Sequence, residues 1–96
     1  MKKIAILALI LCASQAQANE KLCAAVAEAS VTAKKLAEMG EPYRKVIAPF
    51  QVKGADPSGA REIVVDLITN AYYSYPGVPD TTARSLAYTN CMVKMP

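Results

Sequence analysis

The sequence predicts an all-α fold, a small bundle of three main helices plus one short helix, stapled by one disulfide. Three observations predict it. Apolar residues recur at spacings of three and four in three separate stretches, the pattern of one buried stripe along a helix. Clusters of proline and glycine separate those stretches. Two cysteines, Cys23 and Cys91, lie near opposite ends of the chain that follows an N-terminal export segment.

Residues 1–18 read as that export segment, a signal peptide. Lys2 and Lys3 supply a positive start, Ile4 to Ala13 is unbroken apolar sequence, and Ala16-Gln17-Ala18 fits the small-x-small pattern cut by signal peptidase. The run is too short to cross a bilayer, which takes about 20 apolar residues. Cleavage at Ala18/Asn19 leaves residues 19–96 as a single helical domain without a transmembrane span, and a periplasmic or secreted location is expected. Cys12 opens the alternative of a lipidated N-terminus, although Leu11 stands where a lipoprotein signal wants a small residue.

The first helix is expected over Glu20–Met39. Leu22, Val26, Ala29, Ala33, Leu36 and Ala37 make its apolar stripe, with Lys21, Glu28, Lys34, Lys35 and Glu38 on the opposite arc. Asn19 is its expected N-cap, and Gly40 before Pro42 stops it. Pro42 can open a short helix through about Ala48, ended by Pro49 and contributing Tyr43, Val46, Ile47 and Phe50. Gln51–Ala55 reads as a loop.

Asp56-Pro57 then reads as an N-cap followed by proline at the first helical position. Ala60, Ile63, Val64, Leu67, Ile68, Ala71 and Tyr72 follow at helical spacing, which outweighs the strand character of Ile63-Val64-Val65. Ser74–Pro79 reads as a tight loop. Asp80 is expected to cap a last helix over Thr81–Lys94, with Ala83, Leu86, Ala87, Asn90, Cys91 and Val93 facing inward.

Composition narrows the function classes. The chain carries 11 Lys and Arg against 8 Asp and Glu, but Lys2 and Lys3 leave with the export segment, so nine face eight. Lys34-Lys35 and Arg44-Lys45 are isolated pairs, and nucleic acid is not an expected partner. Histidine is absent, which removes the usual general base near neutral pH and the commonest metal ligand. No metal or cofactor is expected. In an exported chain Cys23 and Cys91 are expected to pair rather than to bind metal or exchange, since no Cys-x-x-Cys is present. Glu62 and Asp66 share one helical face but read as its solvated side, and Gly54–Gly59 lacks the Gly-Lys-Ser/Thr ending of a phosphate loop.

Aromatic and methionine residues supply the remaining candidates. Tyr73 and Tyr75 stand beside Pro76, and tyrosine offers a large apolar area with little entropy to lose on binding. Tyr88, Met92 and Met95 form a second candidate partner surface.

The layout resembles small exported two-cysteine helical proteins of Gram-negative bacteria and their phages, a generally uncharacterised group. The matching residues are Cys23, Gly40, Ala71-Tyr72-Tyr73-Ser74-Tyr75-Pro76 and Cys91. That resemblance implies an all-α, disulfide-linked fold. A weaker resemblance, on the cysteine pair alone, is to periplasmic acid-stress chaperones of the HdeA type. The expected function is a non-enzymatic periplasmic protein that binds an envelope or secreted protein, as an inhibitor, an immunity or exclusion factor, or an accessory subunit. The alternative is an acid-stress chaperone. Homo-oligomerisation is left open.

Overall fold

The computed structural model describes the backbone of residues 2–51 and 59–95 and the side chains of residues 18–51 and 59–95. Among the described residues every regular element is a helix, and no strand occurs. Helix α1 spans Lys2–Glu38, α2 spans Tyr43–Ile47, α3 spans Ala60–Ser74 and α4 spans Asp80–Lys94, with a 3-10 turn over Ala48–Phe50 after α2. The expected plan of three main helices and one short one is the observed one.

Helix α1 does not begin at Glu20. It runs on from Lys2, with Ala16-Gln17-Ala18 inside helical backbone and Asn19 in mid-helix rather than at a cap. The sequence gives no reason to break there, because Ala, Leu, Ile and Gln are helix formers and no Gly or Pro intervenes. Its C-terminus closes as expected. Gly40, at φ 84°, donates its N–H to Ala37 O (3.0 Å), and the Glu41 N–H reaches Leu36 O (2.9 Å). These two bonds, around a residue with positive φ, form a Schellman cap that satisfies otherwise orphaned carbonyls.

After it, Pro42 occupies the N-cap position of α2. Pro49 does not end the helical path but enters the 3-10 turn at its first positions, where its missing N–H costs no bond. The expected Asp56-Pro57 helix start lies outside the described residues. Within them α3 begins after Gly59. The chain then reverses at Tyr75-Pro76-Gly77-Val78, with the Val78 N–H on Tyr75 O at 2.9 Å and Gly77 at φ 85°. Proline second and a positive-φ glycine third is the pattern of a type II turn. Pro79, not Asp80, sits at the N-cap of α4, and no side chain caps that helix. The Asp80 carboxylate is engaged elsewhere.

Helix α1 lies at the centre, packed by α4 on one side and by α3 on another. Three apolar clusters run along it. Cys23, Val26, Leu67, Cys91 and Met95 form the first; Ala27, Val31, Ala71, Tyr75, Ala83 and Ala87 the second. The third joins Ala33, Val46, Ile47 and Ile68, with Phe50 half-buried against it. The Cys23–Cys91 disulfide sits inside the first cluster with both sulfur residues fully buried, a Cα–Cα distance of 5.5 Å and a sequence separation of 68.

Several expected facings need correction. Leu22 is exposed, and the buried stripe of α1 instead runs through Cys23, Val26, Ala27, Ser30, Val31, Ala33 and Lys34. Two neighbours cover α1, so its buried arc is wider than one stripe and is rotated toward α4. Leu86 and Val93 face solvent, Val93 at 79 % exposure, because α4 packs on α1 through Ala83, Ala87 and Cys91 and no described residue covers its other side. Gly40 and Gly77 have open space where a Cβ would stand, so alanine there meets strain only in the backbone. Gly40→Ala and Gly77→Ala are each expected to cost about 1 kcal/mol in urea unfolding. An unchanged midpoint for both would contradict the two turns described.

Candidate functional site

Two arrangements of side chains rise above ordinary packing, and each is built by a different pair of elements. The first is aromatic. Helix α3 carries Tyr72 and Tyr73 in its last turn, and the short α2 brings Tyr43 against them. Ring centroids lie 4.9 Å apart for Tyr72–Tyr73, 5.3 Å for Tyr43–Tyr73 and 5.5 Å for Tyr43–Tyr72. The Tyr72–Tyr73 pair is edge-to-face, the geometry that aromatic quadrupoles favour.

Hydrogen bonds hold two of the three rings. The Tyr72 hydroxyl donates to Glu41 O (2.5 Å), just beyond the Schellman cap of α1. The Tyr43 hydroxyl shares a hydrogen bond with Thr69 Oγ1 (2.7 Å). Tyr43 and Tyr72 are half-buried, and Tyr73 lies over them at 65 % exposure. The result is an exposed aromatic ring seated on two immobilised ones, so that little side-chain entropy is left to lose in a contact. Tyr43 carried no signal of this in the sequence. It stands 29 positions before Tyr72 and is recruited only because α2 folds back onto α3.

The second arrangement is ionic and lies where α1 ends and α4 begins. Lys34, expected on the solvated arc, is only 3 % exposed. Its Nζ donates to Asp80 Oδ1 (2.8 Å) and to Glu38 Oε1 (3.0 Å). Lys35 Nζ lies 3.1 Å from Asp80 Oδ2. Glu38 Oε2 in turn accepts the Gly77 N–H at 2.8 Å, tying the type II turn to the last turn of α1. One turn along, Arg84 of α4 pairs with Glu28 of α1.

These partners favour the charged form of each group. The Gly77 N–H and the Lys34 ammonium hold the Glu38 carboxyl below its ordinary value of 4.5. Hydrogen bonds from Lys34 and Lys35 hold Asp80 below its ordinary 3.8. Asp80 and Glu38 raise Lys34 above 10.5. A general acid working near neutral pH needs a carboxyl displaced upward, and these two are displaced downward. Glu62 and Asp66 are exposed on the outer face of α3, beside Arg61 at a surface groove of about 350 Å³. Among the described residues no group of three or more His, Cys, Asp or Glu is placed to hold a metal ion, and no helix is long and apolar enough to cross a membrane.

The sequence-derived candidates divide accordingly. Cys23 and Cys91 are bonded. Tyr73 is exposed. Tyr75 is buried, because it caps α3 in helical backbone four positions after Ala71 and so carries its ring into the second apolar cluster, where its hydroxyl accepts from Asn90 Nδ2 at 3.3 Å. Tyr75 is therefore a packing residue and not part of an open surface. In the other patch the correction applies to Met95. Met95 is buried in the disulfide cluster, and Tyr88 and Met92 are half-buried against it. The face they share is the one α4 turns toward α1 and α3. Tyr73 thus remains as the exposed candidate.

No family model, curated protein or solved structure matches the chain, so its function rests on these arrangements alone. The two tyrosines should respond differently to truncation. Tyr75→Ala empties a buried site and is expected to lower stability by about 3 kcal/mol or more. Tyr73→Ala removes an exposed ring and is expected to cost about 1 kcal/mol or less. Equal losses in denaturant unfolding would contradict the burial described for the pair.

Proposed function

We propose that this chain is exported and acts, without catalysing a reaction, by binding another protein in the bacterial envelope or outside it. The observation that carries the proposal is Tyr73, a large exposed ring preorganised by Tyr43 and Tyr72. Fixed aromatic anchors of this kind supply much of the binding energy at protein interfaces. Export is supported by the basic, apolar and small-x-small run of residues 1–18 and by the buried Cys23–Cys91 bond, which persists in oxidising compartments. The roles this fits are inhibitor, immunity or exclusion factor, and accessory subunit of an envelope system.

A photo-crosslinking residue placed at position 73 in living cells tests the binding step. A reproducible adduct with one envelope or secreted protein, lost in Tyr73→Ala while the melting temperature holds, is the expected outcome. No reproducible adduct, or loss of capture only in variants that also unfold, counts against it. Mass analysis of the purified N-terminus tests export separately. A start at Asn19 is expected, whereas a lipid on Cys12 would place the chain on a membrane surface.

A second reading, an acid-stress chaperone, draws on one observation: carboxylates alone neutralise the buried Lys34 ammonium. Protection of a client protein from aggregation in acid would favour this reading, and failure to protect at any pH would remove it.

A further inference from the structure

Helices α1 and α4 run antiparallel, and the contacts between them form a ladder. Glu38 meets Gly77, Lys34 meets Asp80, Glu28 meets Arg84, and Cys23 meets Cys91. The ladder differs in kind from one end to the other. At the Cys91 end the joint is covalent and lies among Val26, Leu67 and Met95. At the Asp80 end the joint is ionic. Between them, α4 buries only Ala83 and Ala87 ahead of Cys91, while Leu86 in the same stretch is exposed. Alanine removes little apolar area from water, so this half of α4 gains little from burial and depends on its charged contacts.

From this asymmetry we propose that α4 is a lever hinged at the disulfide, and that protonation of Glu38 and Asp80 releases its Asp80–Ala87 half from α1 while its Cys91 end stays in place. The release exposes the alanine-lined cluster around Ala27, Val31, Ala83 and Ala87. It is a property of the free protein and requires neither a partner nor a client.

The charged groups at the joint come from two elements. Helix α1 supplies Lys34, Lys35 and Glu38, and Glu28 further along; α4 supplies Asp80, with Arg84 one turn on and paired with Glu28; the intervening turn supplies the Gly77 N–H. From α3 the described side chains at this level are the apolar Ala71 and the ring of Tyr75. The sign follows from the displaced proton affinities. Glu38 and Asp80 bind protons less readily in the fold than in an unfolded chain, so their stabilisation is complete above their ordinary values of 4.5 and 3.8. It is lost as pH falls below that range. Lys34 keeps its charge throughout, so acid leaves a buried ammonium without an anionic partner.

Amide hydrogen exchange followed by mass spectrometry, on the oxidised protein at about pH 6 and about pH 3 and corrected for intrinsic rates, reads the two ends of α4 separately. Protection over residues 80–87 is expected to fall roughly tenfold or more at the lower pH, while residues 90–94 hold theirs. Lys34→Met keeps the apolar stem and removes the stranded charge, so the pH dependence of residues 80–87 should shrink in it to what the Lys35–Asp80 and Gly77–Glu38 contacts retain. Three results would overturn the lever: loss of protection along the whole of α4 together, no loss at either end, or an undiminished pH dependence in Lys34→Met. Should that variant fail to fold, the comparison of the two ends in the unsubstituted protein decides alone.

Discussion

The rest of the structure depends on the bond between Cys23 and Cys91. It joins the first buried turn of the central helix to the last turn of the final one and closes a ring with a sequence separation of 68. In the chain-entropy account such a ring removes about 4 kcal/mol of freedom from the unfolded state. A domain of this size draws only about 3–5 kcal/mol from its core. Among the described residues the core is lean: five of its fifteen buried apolar residues are alanines, and the largest fully buried side chains are Ile47, Ile68, the two cysteines and Ser30. Covalent closure therefore supplies a contribution comparable to all the packing.

That closure also fixes where the remaining interactions are needed. With α4 anchored at Cys91, the register between α1 and α4 leaves its far end to be held by something other than apolar area. Lys34, Glu38 and Asp80 fill that role, and the Gly77 N–H extends it into the preceding turn. Burying a lysine is costly unless its charge is matched, and two carboxylates at hydrogen-bonding distance match it while its apolar stem lies along the seam. On the opposite flank, ring contacts and the Tyr43–Thr69 hydrogen bond join α2 to α3, and the Tyr72 hydroxyl ties α3 to Glu41 O between α1 and α2. One flank of α1 is thus ionic and covalent and the other aromatic, and the aromatic flank presents Tyr73 outward.

Much of the fold was legible in the sequence because its signals are local. Gly40 marks the end of α1 through its positive φ, Pro76-Gly77 marks the reversal before α4, and helical periodicity marks the three long elements. The cysteine pair announced itself once the N-terminal segment was set aside. What was not legible depends on how many neighbours a helix has. Periodicity reveals a stripe, but α1 is covered on two sides, so Lys34 is buried and Leu22 is not. Helix α4 is covered on one side only, so Leu86 and Val93 stay in solvent despite their apolar character.

The candidate site shows the same division. Tyr73 was readable from its position opposite the α3 stripe. Tyr75, two residues on, closes the last turn of α3 four positions after the buried Ala71, so the same spacing that turns Tyr73 outward carries Tyr75 inward. Tyr43 and the Lys34–Asp80 pair arise from contacts 30 and 46 residues apart in sequence, which single-chain patterns do not encode. Even Asp80, which looks like a helix cap, turns its carboxylate to the lysines of α1 instead.

Equilibrium unfolding in urea, with the disulfide intact and with both cysteines replaced by serine, tests covalent closure most directly. The account predicts a loss of about 4 kcal/mol and a chain largely unfolded at body temperature once the bond is gone. A serine variant that unfolds in the same cooperative transition, at nearly the same midpoint, would contradict it.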